Sequence, residues 1–360
     1  MCSIAPPDLL QAVSEAGTPE EREAARRVQA TSHAMRTQRV GVSRSLRQLA
    51  FTIADVAPSP GRVRTVYDAG HGTDADLPGK RMRGEGEPPV ADEAVNEAYD
   101  GAGATYDFYW EIFNRDGING DGLEMVSSVH FDTDYDNAAW TGFQMIYGDG
   151  SGRVFRKGSL TRSLDVIGHE LTHGVTQFTA NLVYRKQPGA LNESFSDVFG
   201  SLVKQYGLRQ RADEADWLIG EGVLGTALRG VALRSMKAPG TAWTTASGAS
   251  DDQPAHMRDY RDLPADDDPA HDSGGVHVNS GIPNHAFYLA ATAIGGYAWE
   301  RAGRIWYVTL TERLTPWATF RDAAEATVAV AGELFGVDGD DQRKVRAAWQ
   351  QVGVLDEDRV

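Results

Sequence analysis

The chain has 360 residues, 41% of them hydrophobic and 24% charged, the balance of an ordinary globular protein rather than a disordered one. Its 35 Lys and Arg against 51 Asp and Glu leave a net charge of −16, which argues against a phosphate-neutralising surface and so against a nucleic-acid partner. The longest apolar stretch, Ala286–Trp299, is broken by Thr292, Gly295 and Gly296, so no membrane span is expected; the single cysteine, Cys2, allows no internal disulfide.

Residues 1–57 carry seven Arg and six acids, a net of +1, and leave −17 on the rest. Met1-Cys2-Ser3-Ile4-Ala5-Pro6-Pro7-Asp8 has neither the basic start nor the apolar core of a Sec-type signal, which predicts a cytoplasmic protein or one secreted by a non-classical route. A short helix is expected over Leu9–Glu15. Thr18-Pro19-Glu20-Glu21 then opens a longer one, reaching about Gln38: Thr caps, Pro takes the first turn, and Glu21 lies three residues past the cap. Pro58-Ser59-Pro60-Gly61 breaks the chain and reads as a linker or cleavage region.

From about 62 to 155 the sequence is rich in Gly, Asp and Asn. Val63–Tyr67, Ser127–His130 and Gln144–Tyr147 are strand candidates, Asp92–Glu111 a helix, and Gly148-Asp149-Gly150-Ser151-Gly152 a tight turn. Helical patterns dominate from Ser163 onward, over 163–180, 191–206, 282–294, 318–335 and 340–352. The order predicts an α+β fold of two lobes, with a helical N-terminal arm over 1–57, a β-rich lobe over 58–181 and a helical lobe over 182–360, and a cleft between the lobes.

His169-Glu170-Leu171-Thr172-His173 carries the chemistry. On a helix, positions four apart share a face, so both imidazoles can grip one zinc ion with Glu170 beside it. Glu193 follows His173 by twenty residues, enough chain to turn and return a carboxylate as third ligand, leaving the fourth tetrahedral position for water. Asp197, one turn further, can accept the second ring N–H of a ligand histidine, and Asn192 sits beside Glu193 in the same supporting shell. The competing class is a catalytically inactive binding module stabilised by zinc, which gives no reason for a carboxylate at Glu170. The remaining histidines, 33, 71, 130, 256, 271 and 285, show no partner spacing.

From about residue 62 to the end the chain resembles the thermolysin family of metallopeptidases. The resemblance rests on His169–His173 followed by Asn192-Glu193-Ser194-Phe195-Ser196-Asp197, on Gly274-Gly275-Val276-His277-Val278-Asn279-Ser280-Gly281, and on Tyr147-Gly148-Asp149-Gly150 and Leu233-Arg234-Ser235-Met236. The start, Ser3–Leu10, resembles the short propeptide of the protealysin group within that family. What the resemblance implies is a zinc-dependent neutral endopeptidase in precursor form, expected as a monomer. Its own propeptide acts as an intramolecular inhibitor, and its substrates are proteins and peptides.

His169, His173 and Glu193 would then hold zinc and Glu170 would be the general base. His277 and Tyr184 would stabilise the oxyanion, with Asp272 orienting His277. Asn137, the Ala138 carbonyl and the Trp140 N–H would bind the peptide as an added strand, and Arg234 would hold the carbonyl of the residue after the cut bond. Phe155, Val166, Ile219, Val223 and Leu233 would line an apolar pocket for that residue, favouring Leu, Ile, Val or Phe. Ala139 replaces an aromatic residue of thermolysin. The family's double calcium site maps onto Asp165, Asp216 and Glu221, but Lys204 and Leu218 occupy two matching acidic positions, so that site is not expected, while a calcium ion elsewhere stays open. In a sharper form of the propeptide reading, the Cys2 thiolate fills the open metal position.

Overall fold

The computed structural model describes residues 2–32, 61–266 and 268–356. Two helices form in the arm, the first starting two residues before the expected Leu9 and the second where its capping residues placed it. One spans Pro7–Ala16, with proline in its first turn. The next begins at residue 19, where Glu21 N donates to Thr18 Oγ1 and Thr18 N to Glu21 Oε2, and is described through 32. His33, the stretch to Gln38 over which the helix was expected to run, and Pro58–Pro60 lie outside the described residues.

A six-stranded mixed sheet forms the first lobe, in the order Cys2–Ser3, Ala138–Trp140, Met145–Tyr147, Met125–Val129, Arg64–Asp68 and Lys80–Gly84. The three expected strands form within two residues of their predicted bounds. The two strands at the cleft, Cys2–Ser3 and Ala138–Trp140, were not foreseen: two and three residues long, they show no alternation to read. They pair antiparallel, Cys2 opposite Trp140 and Ser3 opposite Ala139, so the N-terminal segment extends the sheet of the lobe that follows it.

Behind the sheet runs the helix Glu93–Phe113, capped by Asp92, which accepts from Ala94 N and Val95 N. It packs on the helix Leu164–Gln177, where Tyr109 Oη and Thr172 Oγ1 meet at 2.8 Å. Lys186–Leu208 crosses this second helix closely. A methyl group on Gly200 would stand 2.4 Å from the Asp165 carbonyl, and one on Gly168 3.1 Å from Gly200 Cα, so the two glycines set the separation of the helices. That approach delivers Glu193 and Asp197 to the histidines. Gly281–Ile294, Phe320–Phe335 and Asp340–Gln351 complete the helical lobe near their predicted bounds. Lys186–Leu208 starts five residues before the predicted 191, because Pro188 falls in its first turn, where a missing N–H costs nothing. Ala302–Val308 was not predicted.

Candidate metal centre and substrate cleft

His169 and His173 project from one face of Leu164–Gln177, fully buried, with their Nε2 atoms 3.0 Å apart. Glu193 places its oxygens 3.5 Å from His169 Nε2 and 3.6 Å from His173 Nε2. Each ring is anchored at its other nitrogen. His169 Nδ1 lies 2.8 Å from Asp197 Oδ1, and His173 Nδ1 lies 2.8 Å from Asn192 Oδ1 and 3.0 Å from Ser196 Oγ.

With Nδ1–H given to those acceptors, both Nε2 atoms turn lone pairs toward one point. Glu193 Oε2 faces it, buried without a hydrogen-bond partner. Convergent lone pairs and an unpartnered carboxylate oxygen fit a divalent cation, and two nitrogens with one oxygen are a zinc donor set. Without a cation the cluster must share protons unequally. Burial pulls both imidazoles down. Asp197 and Glu193 outweigh it at His169, raising it to about 9, whereas His173 falls to about 3. Glu193 is itself held well below the usual range, because His277, His173 and His169 overcome its burial.

Glu170 lies on the same helix. Its Oε2 accepts the Trp140 N–H at 2.8 Å, and its Oε1 is buried without a hydrogen-bond partner. Burial raises its carboxyl to about 8, a value suited to taking and returning a proton near neutrality. The Trp140 N–H expected to bind peptide is thus aimed at this carboxylate.

Opposite stands His277, whose position depends on a backbone few sequences adopt. Asp272, Ser273, Gly274 and Gly275 all have positive φ, at 49°, 52°, 92° and 78°. This left-handed run folds the Asp272 side chain back onto His277 Nδ1 and the His277 N–H, each at 2.6 Å. His277 Nε2 is left facing Tyr184 Oη at 3.3 Å, and Tyr184 also donates to Glu193. Burial opposes the charge on His277, but Glu193 and Asp272 prevail and raise it to about 9. Gln253, which the sequence did not mark, donates through Nε2 to the His277 carbonyl at 2.7 Å.

The N-terminal segment lies along the edge strand. Ile4 N donates to the Ala138 carbonyl at 3.1 Å, Ala5 N to Asn137 Oδ1 at 3.0 Å, and Arg234 Nη1 to the Ile4 carbonyl at 3.1 Å. Arg234 is itself fixed by Asp197, which accepts from its Nε and Nη2 and from Asn284 Nδ2, a partner no spacing pointed to. Arg234 overcomes the burial of Asp197 and holds it at about 2. Ile219 pairs with Arg234 and accepts from Leu233 N, so two of the expected pocket residues meet in the strand pair that carries Arg234. These two, with Phe155, Val166 and Val223, are fully buried, as is Ile4. The Cys2 side chain lies outside the described atoms.

Lys204 stands among the acids matched to calcium ligands, its Nζ 2.7 Å from Asp216, 3.5 Å from Glu221 and 3.6 Å from the buried Asp165. His130, given no role from sequence, bridges Asp149 Oδ1 at 2.7 Å and Asp92 Oδ2 at 2.9 Å.

A two-lobed fold with a His-Glu-His cluster in its cleft defines a metallopeptidase. The profile described as "Thermolysin metallopeptidase, catalytic domain" matches residues 31–177, and "Thermolysin metallopeptidase, alpha-helical domain" matches 180–354. The chain belongs to the thermolysin family and is a metalloendopeptidase. An "Extracellular metalloprotease" of Pectobacterium carotovorum subsp. carotovorum is 44% identical over 98% of this chain and 96% of its own length. "Protease PrtS" of Photorhabdus sp. (strain Az29) is 48% identical over 81% of this chain and 76% of its own. The precursor of protealysin, a metalloproteinase from Serratia proteamaculans, superposes with a TM-score of 0.84 at 46% identity, covering 99% of this chain and all of that one.

These relatives correct the expected location. An extracellular protein so similar over its whole length points to secretion, and the expectation of a cytoplasmic protein falls. That expectation, which left cytoplasmic residence and a non-classical route both open, had weighed only the residues at the start of the sequence.

Proposed function

We propose that the chain is the precursor of a neutral endopeptidase that cuts on the N-terminal side of Leu, Ile, Val or Phe, with Glu170 as general base. Residues 1 to about 57 act as an intramolecular inhibitory propeptide. One observation carries the reading: the segment around Ile4 makes the main-chain contacts a substrate strand would make, with its N–H on Ala138 and its carbonyl on Arg234.

His169, His173 and Glu193 would hold zinc, which would supply Lewis acidity and lower the pKa of water from 15.7 to ≈ 7. Glu170 accepts the proton of the attacking water and returns it to the amide nitrogen. His277, charged and oriented by Asp272, and the Tyr184 hydroxyl donate to the developing oxyanion, where one donor is worth about 3 kcal/mol. Asn137 and the Ala138 carbonyl hold the peptide in register. Arg234 fixes the carbonyl beyond the cut, and Phe155, Val166, Ile219, Val223 and Leu233 receive the side chain. Lys204 replaces the cation of a double calcium site, since its ammonium already balances Asp165, Asp216 and Glu221.

Glu170→Gln tests the mechanism. The variant retains zinc by metal analysis but loses at least about 10³-fold in peptide turnover; a metal-loaded variant that keeps its rate refutes the assignment. Mapping cleavage sites on a denatured protein by mass spectrometry tests the side-chain preference.

A further inference from the structure

We infer that the chain cuts its own N-terminus, at the Ser3–Ile4 bond, while the propeptide is still docked. The inference rests on the proposed roles of Ala138 and Arg234 as the groups that grip the residue after the cut bond. Given those roles, the register leaves one choice. Ile4 gives its N–H to the Ala138 carbonyl and its carbonyl to Arg234, and Ala5 gives its N–H to Asn137. Ile4 is thus the residue after the cut, and Ser3–Ile4 is the bond presented to Glu170. Ser3 and Cys2 continue past it, paired with Ala139 and Trp140 as residues before the cut should be. The wholly buried Ile4 side chain belongs to the class the apolar pocket accepts.

The chain beyond Ile4 holds this register. Pro6 has no N–H to extend the strand, and Pro7 starts the helix Pro7–Ala16, whose Leu9, Leu10 and Val13 are buried. The segment therefore cannot slide to present Leu9 or Leu10 instead.

In the reaction, water adds its oxygen to the Ser3 carbonyl carbon and the C–N bond breaks. Ser3 leaves as a carboxylate and Ile4 keeps the nitrogen as an ammonium, with Glu170 carrying the proton between them. The leaving piece, the residues before Ile4, pairs with the edge strand through Cys2 and Ser3. Ile4, Ala5 and the helical arm keep their contacts, so the trimmed segment stays in the cleft as bound product.

The test follows the intact mass of the full chain, purified with a chelator and then loaded with zinc at widely different protein concentrations. A single loss of the residues before Ile4 is expected, at a rate independent of concentration. It is absent in Glu170→Gln and slowed about tenfold or more in Ile4→Asp, which removes the apolar side chain. Docking is read separately, without turnover. In the chelated chain the Ile4 and Ala5 amides are protected from hydrogen exchange, and Ile4→Asp loses that protection. A chain that cleaves a leucine-containing test peptide yet keeps its first three residues, or amides of Ile4 and Ala5 that exchange freely, overturns the inference. A chain that cleaves neither overturns the proposed function, and the inference with it.

Discussion

Replacing Asp8 by Asn tightens the propeptide on the cleft at alkaline pH. Asp8 sits in the first turn of Pro7–Ala16, with Oδ1 buried and without a hydrogen-bond partner. Burial, then the negative charges of Asp272 and Asp251, push its carboxyl up to about 7, against an opposing pull from His277. A released Asp8 titrates near 3.8. Docking therefore takes up a proton between these values. It is strongest below the lower one, weakens up to tenfold per pH unit as pH rises toward about 7, and loses nothing more above it. The whole gap is worth about 4 kcal/mol. Asp8 keeps part of its surface in water, which reduces this to about 2–3 kcal/mol, a roughly 30- to 150-fold change in docking. Asn keeps the shape and removes the charge. The assay is the initial rate of the full chain on a short peptide from pH 5 to pH 9, taken as the ratio of wild type to Asp8→Asn so that shared catalytic groups cancel. The variant should be slower by about that factor at pH 8, with the gap closing as pH falls below 7. Equal rates at pH 8, or a faster variant, refute the reasoning.

Lys204→Met leaves the Asp165 carboxylate, already pushed up by burial, without its cation, and should cost about 3 kcal/mol in denaturant unfolding. The wild-type melting midpoint should not move on adding calcium; a rise of several degrees would show that a cation still finds these acids. The hydrogen bond His130 donates to Asp149, aided by Asp92, raises His130 to about 9 against its burial. Since this lies above the ordinary 6.5, its contribution is whole below pH 6.5 and lost as pH rises through about 9. His130→Gln should therefore cost about 1–2 kcal/mol at pH 6 and much less at pH 10, read from urea midpoints. A cost that does not change with pH would rule out the charge as its source.

The metal centre was legible because its geometry is periodic. Two imidazoles four residues apart on one helix, and a carboxylate one turn from an aspartate on the next, need only helix spacing to be placed. The long helices were legible for the same reason, and the one opening at residue 19 also by its Thr18–Glu21 cap. What escaped depends on contacts between distant segments. Ala138–Trp140 is too short to alternate, and becomes a strand through its neighbours in the sheet. Asn284 reaches Asp197 across 87 residues, and His130 finds Asp92 and Asp149 only when the sheet, a helix start and a glycine turn come together. Asp8 reads as an ordinary first-turn acid, and the repulsion from Asp272 and Asp251 acts on it only while the arm is docked.

One carboxylate, Asp197, serves both His169, the imidazole proposed to hold the metal, and Arg234, the guanidinium proposed to hold the peptide. Its two oxygens have a fixed supply of electron density to divide between His169 and Arg234. A change at either end is therefore felt at the other. Such coupling is reciprocal by thermodynamic necessity: if the ion strengthens the hold on an occupant of the cleft, the occupant strengthens the hold on the ion by the same factor. Where that factor exceeds one, the chain with Ile4 seated on Arg234 loses metal to a chelator more slowly than the same enzyme without its arm; where the two calls on Asp197 compete, it loses metal faster.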